Sequence, residues 1–287
     1  MDLCFFVSDL HGQKDRYEKL FAEILKDKPS LVLFGGDLLP SFNSYMNSIN
    51  DVKEDFITDY LASNFSKLQN EMGKRYPLVC MILGNDDQRS EEKSLIESGK
   101  NGLWEYIHNR KISFKNYNIY GYSFVPPTPF MLKDWEKYDV SRFVDVGCVD
   151  PQEGYRTFSV SDYEIKYSTI KEDIENLVKS DNLQNSIFLF HSPPYQTHLD
   201  RAALDGLSFD HAPLDVHVGS IAIKRFIEQK QPYITLHGHI HESSRITGYW
   251  KQKIVKTNLF SAAYEKPELA IVKINMENPD ATERILM

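Results

Sequence analysis

The chain has 287 residues, room for one large domain or two small ones, and its 41% hydrophobic and 26% charged content is that of an ordinary globular protein. A formal net charge of -8 argues against a nucleic-acid backbone as the main partner. No run reaches the ~18 apolar residues of a membrane span, and the opening "MDLCFFVSDLHG" lacks the basic stretch of a secretory signal, so a cytoplasmic location is expected.

"LCFFVSD" reads as a buried strand. Tyr17, Leu20, Phe21, Ile24 and Leu25 then recur at helical spacing and predict an amphipathic helix over residues 14–26. "SLVLFGGD" is a second strand. Val52, Phe56, Ile57, Tyr60, Leu61, Phe65 and Leu68 mark a long helix, and "PLVCMILGN" is a third strand. This β-α-β-α-β order predicts parallel pairing with helices on the sheet faces. "NYNIYGYSFV" suggests two short strands, and His108 falls in a helix-like polar stretch that reads as surface. A loop-rich insertion spans about 122–156. A helix around Ile170, Ile174, Leu177 and Val178 precedes the strand "SIFLF", and 192–217 is again irregular. A helix over 219–230, the strand "YITLHGH" and hairpin-like strands through "RITGYW", "KIVKTNLF" and "ELAIVKI" complete the chain. No internal repeat or low-complexity linker is present, so residues 1–287 are expected to form one domain with insertions near 122–156 and 192–217. Cys4 and Cys80 lie in apolar runs, Cys148 has no C-x-x-C partner, and the first two read as buried thiols.

Five of the strands end in residues able to bind metal. "SDLHG" offers Asp9 and His11, two apart and on one side of an extended segment. "GGD" offers Asp37 behind two glycines that permit close approach. "GND" offers Asn85, "FHSPP" His191, and "HGHIH" His237, His239 and His241. Taken singly, each is an ordinary turn or surface polar residue. Parallel α/β sheets, however, collect ligand residues beyond the carboxyl ends of their strands. Even without His237, seven such donors exceed one tetrahedral zinc and suit two ions sharing a carboxylate.

"DLH", "GGD", "GND", "HSPP" and "GHIH", in this order from residue 9 to 241, resemble the five signature blocks of calcineurin-like metallophosphoesterases. The longer stretches "HSPPYQTHLDR", "HVGS" and "HGHIHES" look like the subgroup of predicted phosphoesterases related to the bacterial Icc protein. The resemblance implies an α/β fold, a four-layer α/β/β/α sandwich of two mixed sheets. It implies that Asp9, His11 and His241 hold one ion, that Asn85, His191 and His239 hold a second, and that Asp37 bridges them. Mixed oxygen and imidazole donors suit Mn, Fe, Zn or Co more than Ca or Mg. His237 alternates with the motif and is expected to be structural.

The implied activity is hydrolysis of a small or medium phosphate mono- or diester by a hydroxide shared between the two ions. Many relatives carry Gly-Asn-His followed by an acid, the His protonating the leaving group. Here Asp86 stands in the His position and Asp87 in that of the acid. A carboxyl of ordinary pKa, about 4, is a poor donor at neutral pH, so Asp86 would serve as the acid only with a pKa raised by burial or by Asp87, and His217, with His198 and His211 in the same irregular segment, is the other candidate. The adjacency of Asp86 and Asp87 is expected to be compensated by the nearby cations. Trp135, Arg156 and Arg201 are expected at the rim, each with a solvated-surface reading ahead of substrate contact. Alternative functions are a phosphoprotein phosphatase, which usually shows Arg-Gly-Asn-His-Glu in place of "LGNDD", and a non-catalytic metal-binding scaffold.

Overall fold

Apolar runs bounded by turn residues become two six-stranded mixed sheets in the computed structural model, which describes residues 2–41 and 55–287. The first half holds β1 (Leu3–Val7), α1 (Lys14–Asp27), β2 (Leu31–Gly35), a π-helical segment (Phe56–Ala62) leading into α2 (Ser63–Met72), β3 (Leu78–Ile82), α3 (Glu92–Gly99) and β4 (Glu105–Tyr106). Next come β5 (Arg110–Phe114), β6 (Tyr117–Tyr122), α4 (Asp162–Tyr167), α5 (Ile170–Val178) and β7 (Ser186–Phe190). A small hairpin, β8 (Ser208–Phe209) and β9 (Ala212–Pro213), precedes α6 (Ile221–Lys230) and β10 (Ile234–His237). The remainder is α7 (Ser243–Thr247), β11 (Lys251–Ile254), β12 (Thr257–Ser261), β13 (Ala270–Asn275) and β14 (Glu283–Leu286).

One sheet has the order β14-β13-β1-β2-β3-β4, and the other β11-β12-β10-β7-β6-β5. As the β-α-β order predicts, β1, β2 and β3 pair in parallel. In the second sheet β6, β7, β10 and β12 are parallel neighbours. Side-chain alternation sorts the layers. Phe6, Leu33 and Ile82 of the first sheet meet Ile187, Leu189 and Leu236 of the second in one buried cluster between the sheets. The intervening Phe5, Val32, Phe34 and Met81, with Phe188 and Phe190, face the helices. Tyr17, Leu20 and Ile24 of α1 are fully buried at the predicted helical spacing, and burial of a leucine or isoleucine there contributes roughly 1.5–3 kcal/mol. The result is the expected α/β/β/α layering.

Several local expectations change. Val52 of the predicted long helix lies outside the described residues, and the helical stretch runs on through α2. "NYNIYGYSFV" contributes the single strand β6, which pairs antiparallel with β5. "RITGYW" is no strand: its Arg245, Ile246 and Thr247 close the short helix α7, which ends at Gly248 in the left-handed region. His108 sits between β4 and β5, where its ring packs against Tyr122, Phe124 and Trp135 and its Nδ1 accepts from the Ser123 amide. Trp135 is fully buried, so it neither lines a rim nor faces solvent; it belongs to a core that the insertion builds for itself. Cys4 and Cys80 are buried and unpaired as expected. Among the described residues no helix is long and apolar enough to cross a membrane.

Candidate metal centre

The carboxyl ends of β1, β2 and β3 in one sheet and of β7 and β10 in the other meet at one edge of the sandwich. Three backbone hydrogen bonds zip the first two loops together: Asp9 N to Gly36 O at 2.9 Å, His11 N to Asp37 O at 2.8 Å and Gly12 N to Leu38 O at 2.9 Å. Gly238 N donates to His191 O at 2.9 Å and joins the loops of the second sheet. The seam is closed by side chains: Asp37 Oδ2 lies 3.3 Å from His191 Nε2, and Asp9 Oδ1 accepts from His239 N at 3.0 Å.

All seven residues singled out from the sequence come to this seam. Donor atoms of Asp9, His11, Asp37 and His241 lie within 4.8 Å of one another, and those of Asp37, His191 and His239 do likewise. Asn85 Oδ1 is 3.0 Å from His191 Nε2. Asp37 is common to both groups. The backbone achieves this differently from the extended geometry expected for Asp9 and His11. Asp9, His11, Asp37 and His239 all adopt left-handed φ values, of 59°, 48°, 53° and 73°. Such conformations are uncommon outside glycine and concentrate at functional sites. Two glycines make room. A Cβ on Gly84 would lie 2.3 Å from Asp37 Oδ1 and 2.6 Å from His191 Nε2, and one on Gly238 would lie 2.7 Å from Asp9 Oδ2.

The electrostatics suit a cation. Asp9 Oδ2 is buried and has no hydrogen-bond partner, although its Oδ1 serves His239 N and approaches His241 Nε2 at 3.2 Å. A buried carboxylate oxygen without a donor is a costly arrangement that a metal ion relieves. Burial pushes the Asp9 carboxyl up, but the hydrogen bond and charge of His241 outweigh it and lower it to about 2. Burial disfavours charge on His11 and His191 too, yet Asp86, Asp37 and Asp9 hold His11 up at about 9, and Asp37, Asp9 and Gly35 O do the same for His191. A bound cation would take the place of those protons. His239 is pushed by burial and by the neighbouring His191 down to about 3, which makes it a neutral imidazole donor. His191 Nδ1 is engaged by Gly35 O at 2.7 Å, leaving Nε2 turned toward Asp37 and Asn85. The residues present therefore fit the metal chemistry that the motifs imply.

The remaining sequence candidates separate cleanly. Asp86 Oδ2 is 3.1 Å from His11 Nδ1, and its backbone N donates to Asp37 Oδ1 at 2.8 Å. Asp87 is fully buried and turns the other way, accepting from the amides of Leu38, Leu39 and Gly84. The two adjacent carboxylates are thus compensated by an imidazole and by backbone amides. Burial and the charge of Asp37 still raise Asp87 to about 7. His217 Nδ1 lies 2.8 Å from Oδ1 of Asp200, a fully buried carboxylate that also accepts from the amides of Gln196, Thr197 and Gly219. This segment runs beside Pro193 and Pro194, just beyond His191. His198 stacks on Tyr249, and His211 sits at the exposed tip of the β8–β9 hairpin. His237 is structural as expected, its two nitrogens engaged by Ser192 O and Thr235 Oγ1. Arg201 is held by Ala202 O and Asp205, and Arg156 is half-buried near Asp134 and Glu136.

Two residues escaped the sequence reading. Arg16 of α1 is buried and donates to Asp9 O at 2.7 Å, fixing the strained turn from behind. Asp134 ties the insertion to the loop after Asn85 by accepting from the amides of Arg89 and Thr157. A polar residue inside an otherwise apolar face was the only signal for Arg16, and an insertion Asp gives none.

The family profile of calcineurin-like phosphoesterases matches residues 4–243, and the chain belongs to that family. It is 41% identical over 70 residues to MJ1162, an uncharacterized protein of Methanocaldococcus jannaschii; the match spans 24% of this chain and only 28% of that relative's length. In structure it is similar to TT1561 of Thermus thermophilus, with a TM-score of 0.56 at 12% identity over 99% of this chain and 98% of that one. It is also similar to a dimetal phosphatase from Danio rerio, with a TM-score of 0.52 at 10% identity over 99% and 98% of the two chains. At these identities the likeness speaks for the fold.

Proposed function

We propose that the chain is a dinuclear metal-dependent phosphoesterase acting on small or medium phosphate mono- or diesters. The observation that carries this reading is the seam itself: seven donors from five strand ends converge there, four of them on left-handed backbone, around a buried carboxylate oxygen without a partner. Asp9, His11 and His241 would hold one ion; Asn85, His191 and His239 the other; Asp37 faces both groups. The donor set fits Mn, Fe, Zn or Co. Two such ions, when bound, polarise a phosphoryl oxygen and bring the pKa of a shared water toward neutrality.

The protein's own contribution is placement. The zipped loops fix Asp9 and Asp37, Gly35 O sets the His191 ring, and burial keeps His239 neutral. Departure of the ester oxygen calls for a proton or a good leaving group. Asp86 occupies the motif position of the usual donor. The His217–Asp200 pair, in the segment beside Pro193 and Pro194, is the alternative, because a buried carboxylate on Nδ1 orients the imidazole. We read residues 1–287 as one domain, since β13 and β14 complete the sheet that β1, β2 and β3 begin. The unpaired cysteines support a reducing, cytoplasmic setting.

Asp37→Asn tests the assignment. Removing the carboxylate common to both groups should lower metal content and abolish metal-dependent hydrolysis of aryl phosphate esters. Retention of activity would sink the two-ion reading.

A further inference from the structure

We propose that Asp86 is a positioning residue that acts through His11: its carboxylate sets the tautomer and orientation of that imidazole, so that Nε2 faces the metal cluster. The inference rests on the dinuclear reading above and deepens it. Asp86 Oδ2 lies 3.1 Å from His11 Nδ1, while His11 Nε2 points the other way, 3.3 Å from His241 Nε2 and among the oxygens of Asp9 and Asp37. The two ring nitrogens therefore have separate duties. A histidine that ligates a metal commonly gives its other N–H to a carboxylate, which fixes the ring and raises its basicity.

Residue 86 is itself well placed for this task. Its backbone N donates to Asp37 Oδ1 at 2.8 Å, so the side chain starts from a point tied to the shared carboxylate. One residue later, Asp87 anchors the same turn to the loop after β2 through the Leu38 and Leu39 amides. His11 needs such a hold, because its backbone is left-handed and its ring meets that of His241 edge-on, at 75°. An Oδ2 engaged by His11 Nδ1 holds the imidazole and is not free to face a leaving group. The substitution of Asp for the usual His at this position thus exchanges one role for another: the site gains a clamp on a ligand and gives up a donor.

The test compares Asp86→Ala and Asp86→Asn with the wild type in the metal-loaded enzyme, using Mn²⁺ binding by calorimetry and metal content after dialysis. The Ala variant should bind one of its two ions about 10–100-fold more weakly and the other normally. The Asn variant, whose amide oxygen still accepts from Nδ1–H, should stay near the wild type. The dependence of kcat/KM on leaving-group pKa across a series of aryl phosphate esters should keep the same slope in all three. Wild-type metal affinity in both variants, with a steeper leaving-group dependence, would overturn the proposal and make Asp86 the proton donor. A wild type that binds no ion would instead remove the dinuclear reading itself, a separate and recognisable failure. Thermal unfolding of the metal-depleted proteins confirms that each variant is folded, and Asp86→Asn preserves the comparison if the Ala variant is not.

Discussion

Asp87 offers a perturbation whose size follows from the structure. Its buried carboxylate accepts from Leu39 N at 2.7 Å, Gly84 N at 2.8 Å and Leu38 N at 3.0 Å, joining the loop that carries Asp37 to the one that carries Asn85. Asp87→Ala leaves three amide donors without an acceptor, each costing about 1–3 kcal/mol when buried. Water entering the space left by the carboxylate recovers part of this, so the expected loss is about 3–5 kcal/mol. Asp87→Asn keeps one acceptor oxygen but turns an NH₂ toward a donor, and should lose about 2 kcal/mol. The assay is urea denaturation of chelator-treated protein, so that lost metal binding does not enter the result. A midpoint for Asp87→Ala that corresponds to less than about 1 kcal/mol of destabilisation would show that these amides find other partners, and the stitching argument would fail.

Other consequences can be measured alongside it. Gly84→Ala places a methyl group 2.3 Å from Asp37 Oδ1 and 2.6 Å from His191 Nε2, so metal content should fall and turnover drop at least tenfold, on the order of what a 1 Å ligand displacement costs; full metal content would contradict the close packing. Burial, with the charges of Arg89 and Lys137, holds the His108 pKa well below its ordinary value. The folded state then keeps this ring neutral where the unfolded chain takes up a proton. Its contribution to stability is complete above pH ~6.5 and is lost as pH falls, by at most about 1.4 kcal/mol per unit. His237, lowered by burial to about 4, acts in the same direction. His108→Phe should flatten the loss of stability between about pH 6.5 and 5, measured by denaturation at each pH; an unchanged slope would assign the effect elsewhere.

The candidate metal-binding residues were legible because strand-end position and donor chemistry coincide five times in one chain. What the sequence hides is how they converge. Left-handed backbone at Asp9, His11, Asp37 and His239 falls on no glycine that would have announced it. Asp86 and Asp87 look alike in sequence, yet one faces an imidazole and the other the amides of a loop far earlier in the chain. His108 reads as surface because Glu105, Asn109 and Arg110 around it are exposed, while its own ring turns inward onto Trp135. Trp135 in turn is buried by the insertion's own core, which includes the fully buried Lys133–Glu136 pair, an arrangement that no periodicity signals. The five-residue helix α7 is too short to show a helical pattern, and "RITGYW" mimics a strand.

Metal-dependent turnover tests the two-ion assignment most directly. Protein stripped of metal should show no hydrolysis of aryl phosphate mono- and diesters. Titration with Mn²⁺, Zn²⁺, Fe²⁺ or Co²⁺ should restore activity with at least one of them, saturating near two ions per chain. Failure of every metal to restore turnover on any of these esters, or saturation at a single ion, would contradict the two-ion phosphoesterase assigned to this seam.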